Sequence, residues 1–330
     1  MNDSTFIFSF EKNFDFDGAM VWIQTYWTHS FVYVSIYLLL IYLGQRWMQS
    51  RRAFELRTAL AIWSLSLAVF SILSTCRILP QLLAEVQQHG FEHTVCDRSF
   101  FKENLIFSFW SWYFAMSKVV ELGDTAFIIL RKQKLFFLHW YHHVTVLLYT
   151  WFSTQELVPT SRWFILMNFT VHSAMYSYYA FKAMKFKIPR SIAMTITTAE
   201  LLQMVGGLYV NWQAYRQLAS GRVCGTGMWN IKLSILMYAS YWYLFAHLFY
   251  NSYLKKAGIY DYITIVNSEM SRSAYRKRNV SRIVNEAFHE FESQNKADQE
   301  ELTTEVETEL ITSLTQEKST SCHIRPFHRS

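Results

Sequence analysis

The sequence predicts an all-α polytopic membrane protein with seven transmembrane helices. Three observations carry that prediction: seven apolar runs of spanning length, four prolines that all fall at run ends or in the tail, and basic residues concentrated in alternate loops. The runs lie near 31–48, 59–79, 105–130, 135–154, 163–184, 191–212 and 229–254. Each approaches or exceeds the ~20 residues with which a helix crosses about 30 Å of hydrocarbon. Pro80, Pro159, Pro189 and Pro326 leave the run interiors unbroken. The 330-residue chain is 52% apolar and 18% aromatic, with 10 Gly and 4 Pro. That composition excludes a disordered, collagenous or disulfide-scaffold protein. Mean hydropathy is only +0.06 because a polar end dilutes the apolar runs.

Three regions follow in order. Residues 1–30 form an N-terminal segment whose start, MNDSTFIFSFEKNFDFDGAM, is acidic and lacks the basic and apolar regions of a cleaved leader. Residues 31–254 hold the seven runs. Residues 255–330 form a charged tail, in which SRSAYRKRNVSR precedes an acidic stretch running from Glu286 to Glu309. Such blocks read as solvated and disordered, although the basic patch could meet anionic lipid. The loops after runs one, three, five and seven carry 13 basic residues, among them Arg51, Arg52, Lys132, Lys134, Lys185, Lys187 and Lys255; the opposite side carries six. The positive-inside rule then places the N-terminus lumenal and the C-terminus cytosolic. It also assigns much of the basic excess behind the net charge of +6 to cytosolic loops and not to nucleic acid. Cys96 and Cys224 fall in two lumenal loops, where oxidising conditions permit a disulfide; two unpaired thiols are the other reading.

Ionisable groups inside a spanning helix cost several kcal/mol unless they face a polar interior, so each is a functional candidate. Run three holds Lys118, Glu121 and Asp124; run four holds His139, His142 and His143; run five holds Asn168, His172 and Tyr176; run six holds Glu200 and Gln203. At 1.5 Å rise per residue from the cytosolic ends, they lie about 9 to 18 Å deep. One shared, cytosol-facing site accounts for them. His139, His142 and His143 have the i, i+3, i+4 spacing of one helix face. For Lys118 and Glu121 the alternative is an internal ion pair, and for Tyr176, Tyr178 and Tyr179 it is packing with hydroxyl hydrogen bonds. His247 reads as packing.

A di-iron centre of the kind held by HxxHH boxes needs more histidines than the five in these runs. A metal-dependent enzyme with one zinc on three histidines and a water remains a second reading. A third is a non-enzymatic seven-helix receptor, which would not gather histidines and carboxylates near the cytosolic face. Unbroken runs argue against a transporter. The metal-free reading uses histidine as nucleophile and as acid or base. Cys76 lies at the wrong end of its run for that work.

KVVELGDT at 118–125, LHWYHH at 138–143, NFTVHSAMYSYY at 168–179 and WYLFAHLFY at 242–250 follow one another on consecutive runs. With the first run, they resemble the fatty-acid elongases of the endoplasmic reticulum over residues 20–256. FIILRKQKLFFLHWYHHVTVLLYTW is most similar to the branch acting on palmitate-class chains. The resemblance implies a very-long-chain 3-oxoacyl-CoA synthase. It would condense malonyl-CoA with saturated or monounsaturated acyl-CoA of twelve to eighteen carbons, the first and rate-setting step of elongation, with no cofactor beyond the substrates. His142 would be the acyl-accepting nucleophile, with His139 and His143 orienting it. His172 would assist decarboxylation or condensation, and Lys118, Glu121, Asp124, Asn168, Tyr176 and Gln203 would line the site. Membrane lipid and the 3-ketoacyl-CoA reductase, dehydratase and enoyl-CoA reductase of the cycle would be partners, in the endoplasmic reticulum membrane. Two features depart from the family: Glu200 replaces a common glutamine, and the tail ends FHRS without a dilysine signal. Asn2, in NDS, is the one sequon placed for lumenal glycosylation.

Overall fold

Every apolar run folds as helix in the computed structural model, which describes residues 6–255. The tail beyond residue 255 and Asn2 lie outside the described residues, as do the expectations attached to them. Among the described residues there is no strand. In chain order the helices are α1 (Ser9–Lys12), α2 (Phe16–Tyr26), α3 (His29–Met48), α4 (Arg57–His89), α5 (Phe91–Cys96), α6 (Phe100–Glu103), α7 (Leu105–Val120), α8 (Gly123–Leu130), α9 (Phe137–Gln155), α10 (Ser161–Ala183), α11 (Arg190–Ala219) and α12 (Met228–Phe249). A π-helical turn, Tyr250–Leu254, follows.

Two expectations about continuity are corrected. Pro80 sits inside α4, which continues to His89 and ends at Gly90 with φ +80°. Its missing N–H leaves one backbone bond unmade, which the long helix tolerates. The third run is interrupted: amides 122, 124 and 125 bond three residues back instead of four, separating α7 from α8. That tightened turn coincides with Glu121 and Asp124. Such mid-helix tightening often marks a functional position. Of the described helices, α3 and α4 alone are long and apolar enough to cross a membrane by length and composition. The others are shortened, as α7 and α8 are, or carry the polar groups singled out above.

Packing closes a ring. α9 contacts α12, α12 contacts α11, α11 contacts α10, α10 contacts α4, α4 contacts α7, and α7 returns to α9; α3 lies outside, against α8 and α9. Small residues permit the closest approaches. A Cβ on Gly207 would stand 2.5 Å from the Tyr238 ring, and one on Gly123 would stand 2.8 Å from Trp63. Aromatics fill one end, where Phe100, Phe101, Phe107, Trp110, Phe114 and Phe169 cluster with Ile78 and Leu82.

The N-terminal segment is built into this frame. Asp15 caps α2 through a 2.9 Å bond from the Gly18 amide. Glu11 is fully buried and accepts from Arg77 and Trp110. Cys96 and Cys224 are joined, tying the end of α5 to the loop between α11 and α12. The Gly225 amide donates to the Cys96 carbonyl at 2.8 Å in the same junction.

Candidate active site

Inside the ring, α7, α9, α10, α11 and α12 line a narrow cavity of about 50 Å³. One end is polar, with His142, Asn168 and Gln203 in its wall. The middle is lined by Val146, Phe164, Met204, Met237 and Tyr238, and the other end by Ser153, Thr154, Ser161 and Ile165. Along α9, the step from His142 to Ser153 measures about 17 Å at 1.5 Å per residue. The shape is a narrow apolar bore with a histidine at its polar end.

Behind the polar end runs a chain of hydrogen bonds. Lys118 is 1% exposed and Glu121 4%. The Lys118 Nζ donates to both Glu121 oxygens, at 2.7 and 3.0 Å, and to Asn168 Oδ1 at 2.9 Å. Ser117 adds a 3.0 Å donation to Glu121. All three ammonium protons are thereby used. Since Asn168 Oδ1 is committed to accepting, its Nδ2 donates to His172 Nε2 across 3.2 Å. Nδ1 of His172 then carries the ring proton and lies 4.0 Å from Glu121. The chain fixes both the orientation and the tautomer of His172.

The three histidines of α9 divide. Residues three apart on a helix diverge by about 60° and residues four apart by about 40°, in opposite senses. His142 therefore faces the bore, its ring 4.8 Å from that of Tyr241. His139 and His143 turn to the other flank, their rings 4.4 Å apart. There Thr125 bonds His139 Nε2 at 2.9 Å and the Tyr37 hydroxyl at 2.7 Å. The buried Nδ1 of His143 has no partner among the described residues.

Asp124 and Tyr176 also stand apart from the cavity wall. The Tyr176 hydroxyl donates to Asp124 at 2.7 Å and the Trp63 indole donates to its other oxygen at 2.5 Å. Of the residues expected to line the site, Asn168 and Gln203 do so, while Lys118 and Glu121 support Asn168 from behind. Glu200 is outside the cavity wall. Trp63, Tyr37 and Tyr241 were not singled out in the sequence, and nothing in their local context distinguishes them from other membrane aromatics. Among the described residues His247 hydrogen-bonds Asn251.

Among the described residues one group of histidine and carboxylate side chains converges as metal ligands would: Glu85, His93 and Asp97, none of which lines this cavity. The Arg162 guanidinium stands 4.0 Å from Glu85 and brings positive charge beside that group. Among the described residues His139, His142 and His143 form no such group.

A family profile described as ELO: GNS1/SUR4 family matches residues 22–259. The chain is 46% identical over 256 residues to a protein named very long chain fatty acid elongase 6 of Drosophila melanogaster, covering 77% of this chain and 81% of that one. It is 45% identical to the protein of the same name from Gallus gallus and 43% to that from Homo sapiens, each over 249 residues, 76% of this chain and 93% of the other. The matched span includes the whole helical ring and every residue of the cavity wall, so the chain belongs to the GNS1/SUR4 (ELO) family.

Proposed function

We propose that this protein is a very-long-chain 3-oxoacyl-CoA synthase that condenses malonyl-CoA with a long-chain acyl-CoA, yielding a 3-ketoacyl-CoA two carbons longer, carbon dioxide and free CoA. The observation that carries the reading is His142 at the polar end of a long apolar bore in a chain of this family. The bore suits an acyl chain, with its thioester carbonyl at the imidazole. His142 attacks that carbonyl, forming an acyl-imidazole and expelling CoA thiolate. Loss of carbon dioxide from malonyl-CoA leaves a carbanion that attacks the acyl carbonyl and returns His142 free. His172, held by Asn168, supplies the proton transfers, and Gln203 and Asn168 bind the carbonyl oxygens. His139 and His143 support the α9 backbone and the His142 ring. The reaction balances with the two substrates and one proton, which the departing CoA thiolate takes up.

The protein is an all-helical membrane protein. In our reading the seven spans are α3, α4, the α7–α8 pair, α9, α10, α11 and α12, with the N-terminal segment lumenal and the tail cytosolic. The basic loops support this and place Lys132, Lys134 and Lys187 to meet CoA phosphates. We assign it to the endoplasmic reticulum membrane, where a reductase, a dehydratase and an enoyl reductase complete the cycle.

The test is direct. Purified protein incubated with labelled malonyl-CoA and an acyl-CoA series gives 3-ketoacyl-CoA; no product at any chain length overturns the reading. His142→Ala removes the covalent acyl adduct detected by mass spectrometry, and an adduct that persists moves the nucleophile elsewhere.

A further inference from the structure

His142 differs from His172 in how its ring is held. Among the described residues the hydrogen bonds that side chains make to His142 use its carbonyl, and neither ring nitrogen is engaged. That suits a nucleophile, which offers one nitrogen lone pair to the carbonyl carbon and keeps its proton on the other nitrogen. It also removes the means by which His172 is aimed, because the terminal torsion of a histidine is broad and sets no direction by itself. Packing has to aim the ring. The Tyr241 ring lies 4.8 Å from that of His142 at an interplanar angle of 48°, and the His143 ring meets it edge-on at 5.7 Å and 87°. His143 belongs to the same helix as His142, so Tyr241 is the contact that ties the imidazole to a second helix, α12.

Tyr241 is itself fixed. It is 2% exposed. Thr145 spends its hydroxyl proton on the Tyr141 carbonyl at 2.7 Å, so it accepts from the Tyr241 hydroxyl at 2.5 Å. In return Tyr141 of α9 donates to Ser240 of α12 at 3.0 Å, and Ser240 spends its own proton on the Met237 carbonyl. Each helix thus sends a tyrosine to a hydroxyl of the other, and the two tyrosine rings meet edge to face at 6.0 Å and 89°. The α9 ends of the two bonds, Tyr141 and Thr145, bracket His142.

We infer that Tyr241 is the positioning residue of His142: its ring sets the angle of the imidazole, and its bond to Thr145 sets the ring. This rests on the condensing function proposed above. It gives α12 a part in acyl transfer that is exerted through His142.

The experiment uses the full chain in detergent with palmitoyl-CoA and follows the acyl adduct on His142 by rapid-quench mass spectrometry over a range of acyl-CoA concentrations. A parent that forms no adduct overturns the proposed function and this inference with it, which separates that failure from one confined to the variants. Tyr241→Leu lowers the maximal acylation rate about 10²-fold, the usual penalty for a misaimed reacting group, while the acyl-CoA concentration giving half that rate stays near the parent value. Tyr241→Phe keeps the ring and loses one hydrogen bond, and it restores the rate to within about tenfold of the parent. Thr145→Val matches Tyr241→Phe, and the two together are no worse than either alone, since they cut one link. Ser240→Ala removes the companion bond from Tyr141; it lowers the unfolding temperature and leaves acylation per folded molecule unchanged. If Tyr241→Leu does not fold, Tyr241→Phe and Thr145→Val decide. Acylation at the parent rate in both overturns the inference, and so does a Ser240→Ala variant as slow as Thr145→Val, because general contact between α9 and α12 would then account for the effect.

Discussion

Two ion pairs with buried carboxylates, Lys118–Glu121 and Arg77–Glu11, show how similar chemistry serves different ends. In the second, Glu11 is fully buried and accepts from Arg77 Nε at 2.9 Å, Arg77 Nη2 at 2.6 Å, Trp110 Nε1 at 2.8 Å and the Phe8 amide at 3.0 Å. Arg77 spends a further proton on the Phe6 carbonyl. Every bond returns into the N-terminal segment or its neighbour, and the pair acts as a clasp. In the first, the third ammonium proton goes to Asn168, and through it the network reaches His172 and the cavity. The identity of a buried pair says little; where its remaining bonds lead separates a clasp from a support for chemistry.

The comparison can be broken in order of effect. Lys118→Met leaves Glu121 buried without its cation and lowers stability by about 3–5 kcal/mol. Thermal unfolding in detergent measures this, and condensation is lost with it. Adding Glu121→Leu recovers most of the unfolding temperature but not the activity; a double variant with parental turnover would make Lys118–Glu121 a clasp after all. Asn168→Leu frees His172 to rotate, and kcat falls about 10²-fold, the usual penalty for a displaced reacting group. Arg77→Met removes charged hydrogen bonds to Glu11 and lowers the unfolding free energy by about 2 kcal/mol, while turnover per folded molecule stays at the parent value. The smallest effect is a pH dependence. Burial by itself raises the Glu11 carboxyl pKa, but bonds from Arg77, Trp110 and the Phe8 amide outweigh it and hold the group below its ordinary value. A depressed carboxylate adds stability above the unfolded pKa and loses it as pH falls through the folded one. Unfolding temperature thus drops below about pH 4 more steeply in the parent than in Glu11→Gln.

Apolar run length made the helices legible, and depth counted along each run brought Lys118, Glu121, Asn168, His172 and His142 to one level before any contact was known. What stayed hidden depends on partners distant in the chain. Trp63 meets Asp124 across 61 positions, and nothing near Trp63 marks it. Spacing placed His139, His142 and His143 on one face, yet a face spans about 100° and two cavity flanks divide it. The break between α7 and α8 was invisible because Glu121, Leu122 and Gly123 can all continue a helix; the tightened turn is set by what surrounds it. Glu11 read as one more charge in an acidic N-terminal segment because its cation lies 66 residues on.

The two pairs also differ in when they can form. Lys118 lies in the last turn of α7, and Glu121 follows three residues on as the residue that ends it. A segment that carries both could enter a bilayer with its charges already paired, which would avoid much of the roughly 2.5–3.5 kcal/mol that a lone central lysine costs at insertion. Glu11 must wait for Arg77. During synthesis the charged heart of the enzyme is therefore self-sufficient from the moment its helix emerges, and the clasp closes only after α4 has followed the N-terminal segment into place.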